Sequence, residues 1–223
     1  MVAFPWDEQS DQPHIVADRV LRRRLRRGGF GELTALLATC AWWAPLWALA
    51  YARAAAPPRQ LRDIVGVAIS PSADPRLATA LADLGIGRLA IRCPLWDPAG
   101  QEAVWRCLED VPHEDVLLVV PQDRRAVNRP ETVGPALERI CRQAPVRVRT
   151  VQFGNAVNRL KWGCAHLGEY LPLLAEASAV VADFPRLQLA GSAVIDFEPL
   201  ATLRSLVNRF PIRADICSAL LYV

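Results

Sequence analysis

Short apolar runs alternate with segments of helical periodicity from Ile64 to the C-terminus. The first run, IVGVAIS at 64–70, is continuous, which is typical of a strand covered on both faces. In the next segment, PRLATALADLG at 75–85, leucines recur on one helical face and a glycine ends the pattern. The pattern therefore predicts a strand followed by a helix.

Five further strand-like runs follow, separated by segments with helical spacing. The predicted strands cover residues 88–95, 115–122, 146–155, 186–197 and 214–223, and the predicted helices lie near 99–111, 131–144, 167–174 and 199–210. Regular alternation predicts parallel strands joined by right-handed crossovers. The predicted class is α/β with six parallel strands, arranged either as a doubly wound open sheet or as part of a TIM-type (β/α) barrel.

A charge-free segment precedes the alternating region. Residues 33–52 carry no charged side chain over 20 positions, which is long enough to span a hydrocarbon core of about 30 Å as a helix. We therefore expect a transmembrane helix at 33–53, in contact with a lipid bilayer. More arginines precede it than follow it, which favours a cytoplasmic N-terminus and a barrel on the outer side. A buried or interfacial helix in a cytoplasmic protein is the alternative.

The remaining domain boundaries follow from composition. Residues 1–32 are polar and basic and are expected to be disordered. Residues 54–62 contain a proline pair and are predicted to form a linker. Residues 63–223 then form the partial barrel.

Charge and cysteine usage exclude several functional classes. The run Arg19–Arg27 contains six arginines, and subtracting their charges from the net charge of +3 leaves −3, so we expect no nucleic-acid partner. None of the six cysteines lies in a CxxC pair and only three histidines occur, so no metal site is expected. No glycine-rich phosphate-binding motif occurs, and no cofactor is expected.

Polar residues cluster where the predicted strands end. In a (β/α) barrel, chemistry gathers at the carboxyl ends of the strands. The residues at these ends are Arg92, Trp96, Asp97, Gln122, Asp123, Gln152, Asn155, Asn158, Arg159, Asp196, Glu198 and Tyr222. The sequence therefore predicts that these side chains converge on one mouth of the barrel.

Three short segments resemble the clan A glycoside hydrolases. VQFGNAVNRLKWG at 151–163 resembles the Gly-Asn-Glu-Pro-Asn segment that ends strand four in that clan, and AIRCPLWD at 90–97 and LLYV at 220–223 resemble its strand-two arginine and strand-six aromatic. The resemblance implies a barrel that acts on or binds a polysaccharide or glycan. It implies substrate-binding roles for Arg92, Asp97, Asn155, Asn158, Trp162 and Tyr222.

The sequence departs from the pattern of that clan at two places. Ala156 stands where the acid/base Glu is expected, and the sequence ends after the predicted strand six, before the strand that would carry the nucleophile. Glycosidases normally need two carboxyl groups. Asp196 and Glu198 are the candidate replacements, although both also fit the start of a helix.

Three hypotheses stay open. The chain is a membrane-anchored glycosidase-like enzyme, a non-catalytic carbohydrate-binding or scaffold relic of the barrel, or an open α/β domain of unrelated function. A six-stranded piece of a barrel leaves strand edges unpaired, so three alternatives stay open: a fragment of a longer gene product, a degraded copy, or a chain whose barrel is completed by a partner chain.

Overall fold

The computed structural model describes residues 16–27, 30–53, 65–71, 76–111, 113, 115–196 and 198–220. The predicted linker at 54–62 and Tyr222 lie outside these ranges. The described helices are α1 (Arg19–Arg27), α2 (Phe30–Arg53), α3 (Arg76–Leu84), α4 (Pro98–Asp110), α5 (Arg124–Asn128), α6 (Val133–Gln143), α7 (Leu167–Ala182) and α8 (Pro199–Leu206). The described strands are β1 (Val67–Ile69), β2 (Arg88–Arg92), β3 (Asp115–Val120), β4 (Val148–Phe153), β5 (Gln188–Ile195) and β6 (Ile216–Leu220).

The strands form one curled sheet in which every pairing is parallel. Their order is β1-β2-β3-β4-β5-β6, so each strand pairs with its neighbour in the sequence. Within the described ranges β1 pairs only with β2, and β6 only with β5, so the sheet is a half-barrel. The predicted α/β class and the parallel sheet are confirmed.

The two faces of the sheet differ in burial. Leu89 and Ile91 of β2, and Val116, Leu118 and Val120 of β3, are buried against the helices. The residues between them on each strand are only half-buried or exposed. The convex face therefore contributes the hydrophobic core, whereas the concave face is partly open. Each fully buried leucine on the convex side contributes about 2 kcal/mol of transfer free energy.

The helices on the convex side begin where the sheet strands end. Asp97 caps α4, because its Oδ1 accepts a hydrogen bond from the Gly100 N–H at 2.9 Å. Asp123 caps α5 in the same way, with Oδ1 at 2.8 Å from the Ala126 nitrogen. Each cap satisfies a backbone donor that has no partner inside the helix. These caps fix the direction in which the chain leaves β2 and β3.

The N-terminal region corrects two expectations. Residues Arg19–Arg27 form α1, whose first turn is closed by a hydrogen bond from the Val20 N–H to Asp18 Oδ1 at 2.7 Å, so part of the segment expected to be disordered is helical. The prediction of a transmembrane helix at 33–53 is wrong. In the part of the chain that the structure describes, no helix combines the length and the apolar character that crossing a bilayer requires.

The physical reason lies in the composition of α2. The segment lacks charge, but seven of its positions from 33 to 52 are alanine, and threonines, a proline and four amphipathic aromatics take most of the others. Alanine gains little on transfer to hydrocarbon, and tryptophan and tyrosine prefer the interface. The single-pass topology is therefore not supported.

Candidate functional site

A cavity of about 400 Å³ lies against the concave face of the sheet. Both edges of the half-barrel contribute to its wall, since residues of β1 and of β6 line it together. The lining residues are Ala68, Ile69, Ser70, Ala90, Ile91, Arg92, Leu117, Val119, Gln152, Asn155, Ala219 and Leu220. Its volume falls within the range of small-molecule sites, and its polar groups are few.

Gln122 fixes the loop that follows β4. Its Nε2 donates to the Trp162 carbonyl at 2.7 Å and to the Asn155 carbonyl at 3.4 Å, and its Oε1 accepts from the Asn155 N–H at 2.9 Å. Gln122 is fully buried. All three contacts satisfy polar groups that would be costly to bury without partners. This one side chain therefore holds the end of β3 against the loop that carries Asn155 and Trp162.

The turn after β4 has a constrained backbone. Gly154 has a φ of +95° and Ala156 a φ of +46°, both in the left-handed region. The Tyr170 hydroxyl donates to the Phe153 carbonyl at 2.6 Å and lies under the turn. A glycine is required at 154, because a Cβ there would lie 2.8 Å from both Tyr170 Cε2 and Val157 Cγ1. The turn directs the chain so that Asn155 reaches the cavity.

Arg92 lies over the indole ring of Trp162. The guanidinium carbon is 5.5 Å from the ring centroid, a distance at which cation–π attraction operates. Trp162 is 6% exposed, and Arg92 at the end of β2 is half-buried. The sequence predicted that Trp162 would contact a ligand; in the structure the contact of its ring is with Arg92.

Two amides complete the polar part of the cavity. Gln152 donates from Nε2 to the Gly154 carbonyl at 3.2 Å. Asn155 is 3% exposed, and its Nδ2 has no hydrogen-bond partner among the described residues. A buried amide donor without a partner costs about 1–3 kcal/mol, so its presence in a cavity wall indicates a place where a ligand oxygen can bind.

The two candidate carboxylates lie at the end of β5 and share one arginine. Arg159 pairs with Asp196 and, from Nη1, with Glu198 at 3.2 Å. Asp196 adopts a φ of +63°, and neither carboxylate lines the cavity. These ion pairs link the loop after β4 to the segment between β5 and α8, and they leave both carboxylates paired.

Asn158 lies beside this ion pair and holds β5. Its Nδ2 donates to the Ile195 carbonyl and its Oδ1 accepts from the Ile195 N–H, both at 3.0 Å. The Asn158 amide therefore forms its hydrogen bonds with backbone groups of β5. The Asp97 carboxylate likewise accepts from a backbone N–H, at the start of α4. Of the predicted binding residues that the structure describes, only Arg92 and Asn155 line the cavity, with Trp162 behind Arg92.

Ala156 is buried beneath the mouth and does not face the cavity. It is 1% exposed and packs with Trp162 and Ile195. The position that would carry the acid/base Glu in the clan A pattern therefore lies in an apolar cluster. A carboxylate there would be desolvated and would point away from the space that a ligand could occupy.

Several residues that line the cavity were not among the predicted site residues. Ser70 follows β1, and Leu117 and Val119 alternate with the buried residues of β3 on the concave side. The continuous apolar run of β3 hides this alternation, because both faces carry aliphatic side chains. Only the burial of alternate residues distinguishes the face that packs on helices from the face that lines the cavity.

No group of three or more histidine, cysteine or acidic side chains suited to a metal ion occurs within the described ranges. Burial raises the pKa of the Cys93 thiol, near the end of β2, to about 12, with a smaller contribution from Asp97. The pKa of the Cys164 thiol is raised further by complete burial. These thiols are therefore poor nucleophiles at neutral pH.

The fold and the cavity define a curled parallel α/β half-barrel with a small polar group at the carboxyl ends of its central strands. No protein-family model, curated protein or solved structure matches this chain. Function must therefore be inferred from the cavity and its side chains.

Proposed function

We propose that this chain is a glycoside hydrolase-like, incomplete TIM-type barrel that binds a polysaccharide or glycan in the concave cavity without cleaving it. The observation that carries the proposal is the position of Arg92, Gln152 and Asn155 at the carboxyl ends of β2 and β4, around one cavity. This is the end of the sheet at which barrel proteins bind their substrates.

The chemistry of the cavity suits a sugar. Amide groups donate to and accept from hydroxyls, and Asn155 has an unused buried donor. Aliphatic side chains such as Ile69, Leu117 and Val119 form the rest of the wall. A pyranose ring presents both hydroxyls and apolar C–H faces, so it can satisfy both parts of this wall.

Binding without hydrolysis is favoured by the placement of the carboxylates. Asp196 and Glu198 are both paired with Arg159 and lie outside the cavity wall. Ala156 offers no proton donor and is buried among apolar side chains. No described carboxylate lines the cavity, so the pair of carboxyl groups that glycosidases use has no counterpart there.

The strand order argues against the alternative of a doubly wound domain. A doubly wound sheet reverses its strand order at a switch point and binds ligands there. The sheet of this chain runs in sequential order from β1 to β6. A binding site at the concave face, and not at a switch point, therefore agrees best with this topology.

The test is affinity electrophoresis through gels that contain soluble polysaccharides, followed by an assay with aryl glycosides. The wild-type protein should be retarded by at least one polysaccharide and should release no aglycone. Asn155→Ala should reduce the retardation by at least threefold. Asn128→Ala is the matched control, because Asn128 is exposed at the end of α5, away from the cavity.

Two results would overturn the proposal. Retardation that is unchanged in Asn155→Ala would place the glycan elsewhere on the surface. Turnover that disappears in Asp196→Asn or Glu198→Gln would show that the chain is an enzyme using those carboxylates.

A further inference from the structure

We infer that the ligand of the concave cavity is an acidic oligosaccharide, whose carboxylate binds the guanidinium of Arg92. This inference rests on the proposed function and adds the charge of the sugar. Carboxylate-bearing sugars are a distinct class of glycan, and the cavity contains the residue type that recognises them through two parallel hydrogen bonds.

The cavity carries one charged side chain. Arg92 is the only ionisable group among the described residues that line it, since the other polar lining residues are Ser70, Gln152 and Asn155. No described carboxylate forms an ion pair with Arg92. The half-buried guanidinium therefore gives the cavity a net positive charge.

Other arginines near the ends of these strands differ from Arg92, because each of them forms an ion pair with a carboxylate of the protein. Arg88 pairs with Asp115 at 3.0 Å, Arg124 with Glu169 at 2.7 Å, and Arg159 with Asp196 and Glu198. The charges of Arg88, Arg124 and Arg159 are therefore neutralised within the protein, whereas no described carboxylate neutralises that of Arg92. A ligand carboxylate would supply the missing counter-charge.

Trp162 holds Arg92 in place without neutralising it. The guanidinium carbon lies over the indole ring, 5.5 Å from its centroid, and the tryptophan is fixed in turn by the hydrogen bond from Gln122 to its carbonyl. A cation–π contact provides no oxygen acceptor for the guanidinium N–H donors, so another partner can still accept from them. The side chain is therefore preorganised, which lowers the entropy lost when a carboxylate binds.

The surroundings of Arg92 strengthen an ionic contact. Leu117 and Val119 lie on the neighbouring strand, and Leu220 closes the cavity from β6. Apolar walls lower the local dielectric constant, and the attraction between opposite charges increases accordingly. The amides of Gln152 and Asn155 then remain for the sugar hydroxyls.

The experiment compares acidic oligosaccharides with their carboxyl-reduced forms by isothermal titration calorimetry. The probes are oligogalacturonates and oligouronates from alginate, each paired with the neutral sugar obtained by reducing its carboxylates. At least one acidic probe should bind wild-type protein tenfold or more tightly than its neutral partner in 50 mM salt. The ratio between the affinities for the acidic and the neutral probe should decrease in 500 mM salt, because dissolved ions screen the attraction between the carboxylate and Arg92.

The variants separate Arg92 from general surface charge. Arg92→Gln should remove the preference for the acidic probe while weak binding to both forms persists, and Arg92→Lys should retain a reduced preference. Arg88→Gln is the matched control, because Arg88 lies on the same strand at the opposite end and is exposed. It should bind as wild type does. Circular dichroism checks that each variant folds.

The outcomes distinguish this inference from the proposed function. Equal binding of acidic and neutral forms, or an acidic preference that survives in Arg92→Gln, would refute the role of Arg92 and leave glycan binding intact. If Arg92→Gln does not fold, an unchanged preference in Arg92→Lys refutes that role equally. Absence of binding by every acidic and neutral probe would overturn the proposed function itself.

Discussion

Replacement of Gly154 by alanine tests the account of the turn that positions the site. The added Cβ would lie 2.8 Å from Tyr170 Cε2 and from Val157 Cγ1, well inside van der Waals contact. Tyr170 cannot move easily, because it is fully buried and its hydroxyl donates to the Phe153 carbonyl at 2.6 Å. The substitution therefore adds both a steric overlap and a backbone conformation that alanine disfavours.

The two costs can be estimated separately. A φ of +95° disfavours alanine relative to glycine by about 1–2 kcal/mol. Overpacking of a close-packed site typically costs about 1–3 kcal/mol. We therefore expect Gly154→Ala to lower the free energy of unfolding by about 3 kcal/mol, a large part of the 5–15 kcal/mol typical of a domain.

Urea denaturation followed by tryptophan fluorescence measures this loss. With a slope of about 2 kcal/mol per M, the midpoint should fall by about 1.5 M. Gly134→Ala is the matched control, because Gly134 lies in α6 and its added Cβ would be 3.5 Å from the nearest atom, Glu176 Oε2. There alanine should raise the free energy of unfolding by about 0.5–1 kcal/mol. A loss below about 1 kcal/mol in Gly154→Ala would refute the reasoning.

Three further changes test other parts of the structure. Gln122→Ala should lower the free energy of unfolding by about 2–4 kcal/mol, because it leaves buried backbone groups of the loop after β4 unpaired; a loss under 1 kcal/mol would contradict this. Burial raises the pKa of the Cys93 and Cys141 thiols to about 12, so the native state holds their protons more tightly than the unfolded state. Their contribution to stability is therefore full below pH 9 and falls as the pH rises from 9 towards 12, which urea titrations at pH 8 and 10.5 should show. At pH 8 both thiols should react with a disulfide reagent only on unfolding, whereas exposed Cys217 reacts in the native state. Ala156→Glu should lower the free energy of unfolding by about 3 kcal/mol or more and produce no glycosidase activity, and aryl glycoside turnover by this variant would show that position 156 faces a ligand.

The repeating part of the fold could be predicted because its pattern is regular. Strands such as Arg88–Arg92 and Asp115–Val120 are short apolar runs, and the helices between them carry a clear apolar face. The predicted run at 64–70 is shorter in the structure, where β1 covers only Val67–Ile69. Periodicity locates an element, but the neighbouring strand decides where its ladder of hydrogen bonds ends.

The N-terminal helix shows where a simple criterion fails. Residues 33–52 lack charge, yet their alanines and tryptophans contribute less to membrane transfer than leucine or isoleucine would. Length and lack of charge are necessary for a membrane span, but the segment must also contain enough strongly apolar side chains.

The candidate site could be predicted only in outline. The sequence indicates which polar residues follow the strands, and the structure does bring Arg92, Asn155 and Trp162 together. The sequence cannot indicate that Asp97 caps a helix or that Asn158 binds backbone, since Asp and Asn side chains bind ligands and stabilise turns equally well. The partner of a polar side chain depends on register and on loop path, which composition does not encode.

The sequential order of the sheet has a consequence for how the molecule forms. Each strand pairs only with the strands before and after it in the chain, so the pairings of the sheet join segments a few tens of residues apart. Closing each of these short crossovers loses little loop entropy, whereas the parallel pairing that each crossover allows is itself slow to form. During synthesis, each new strand and helix can add to a template that has already left the ribosome, so assembly can proceed in the direction of translation from β1 to β6.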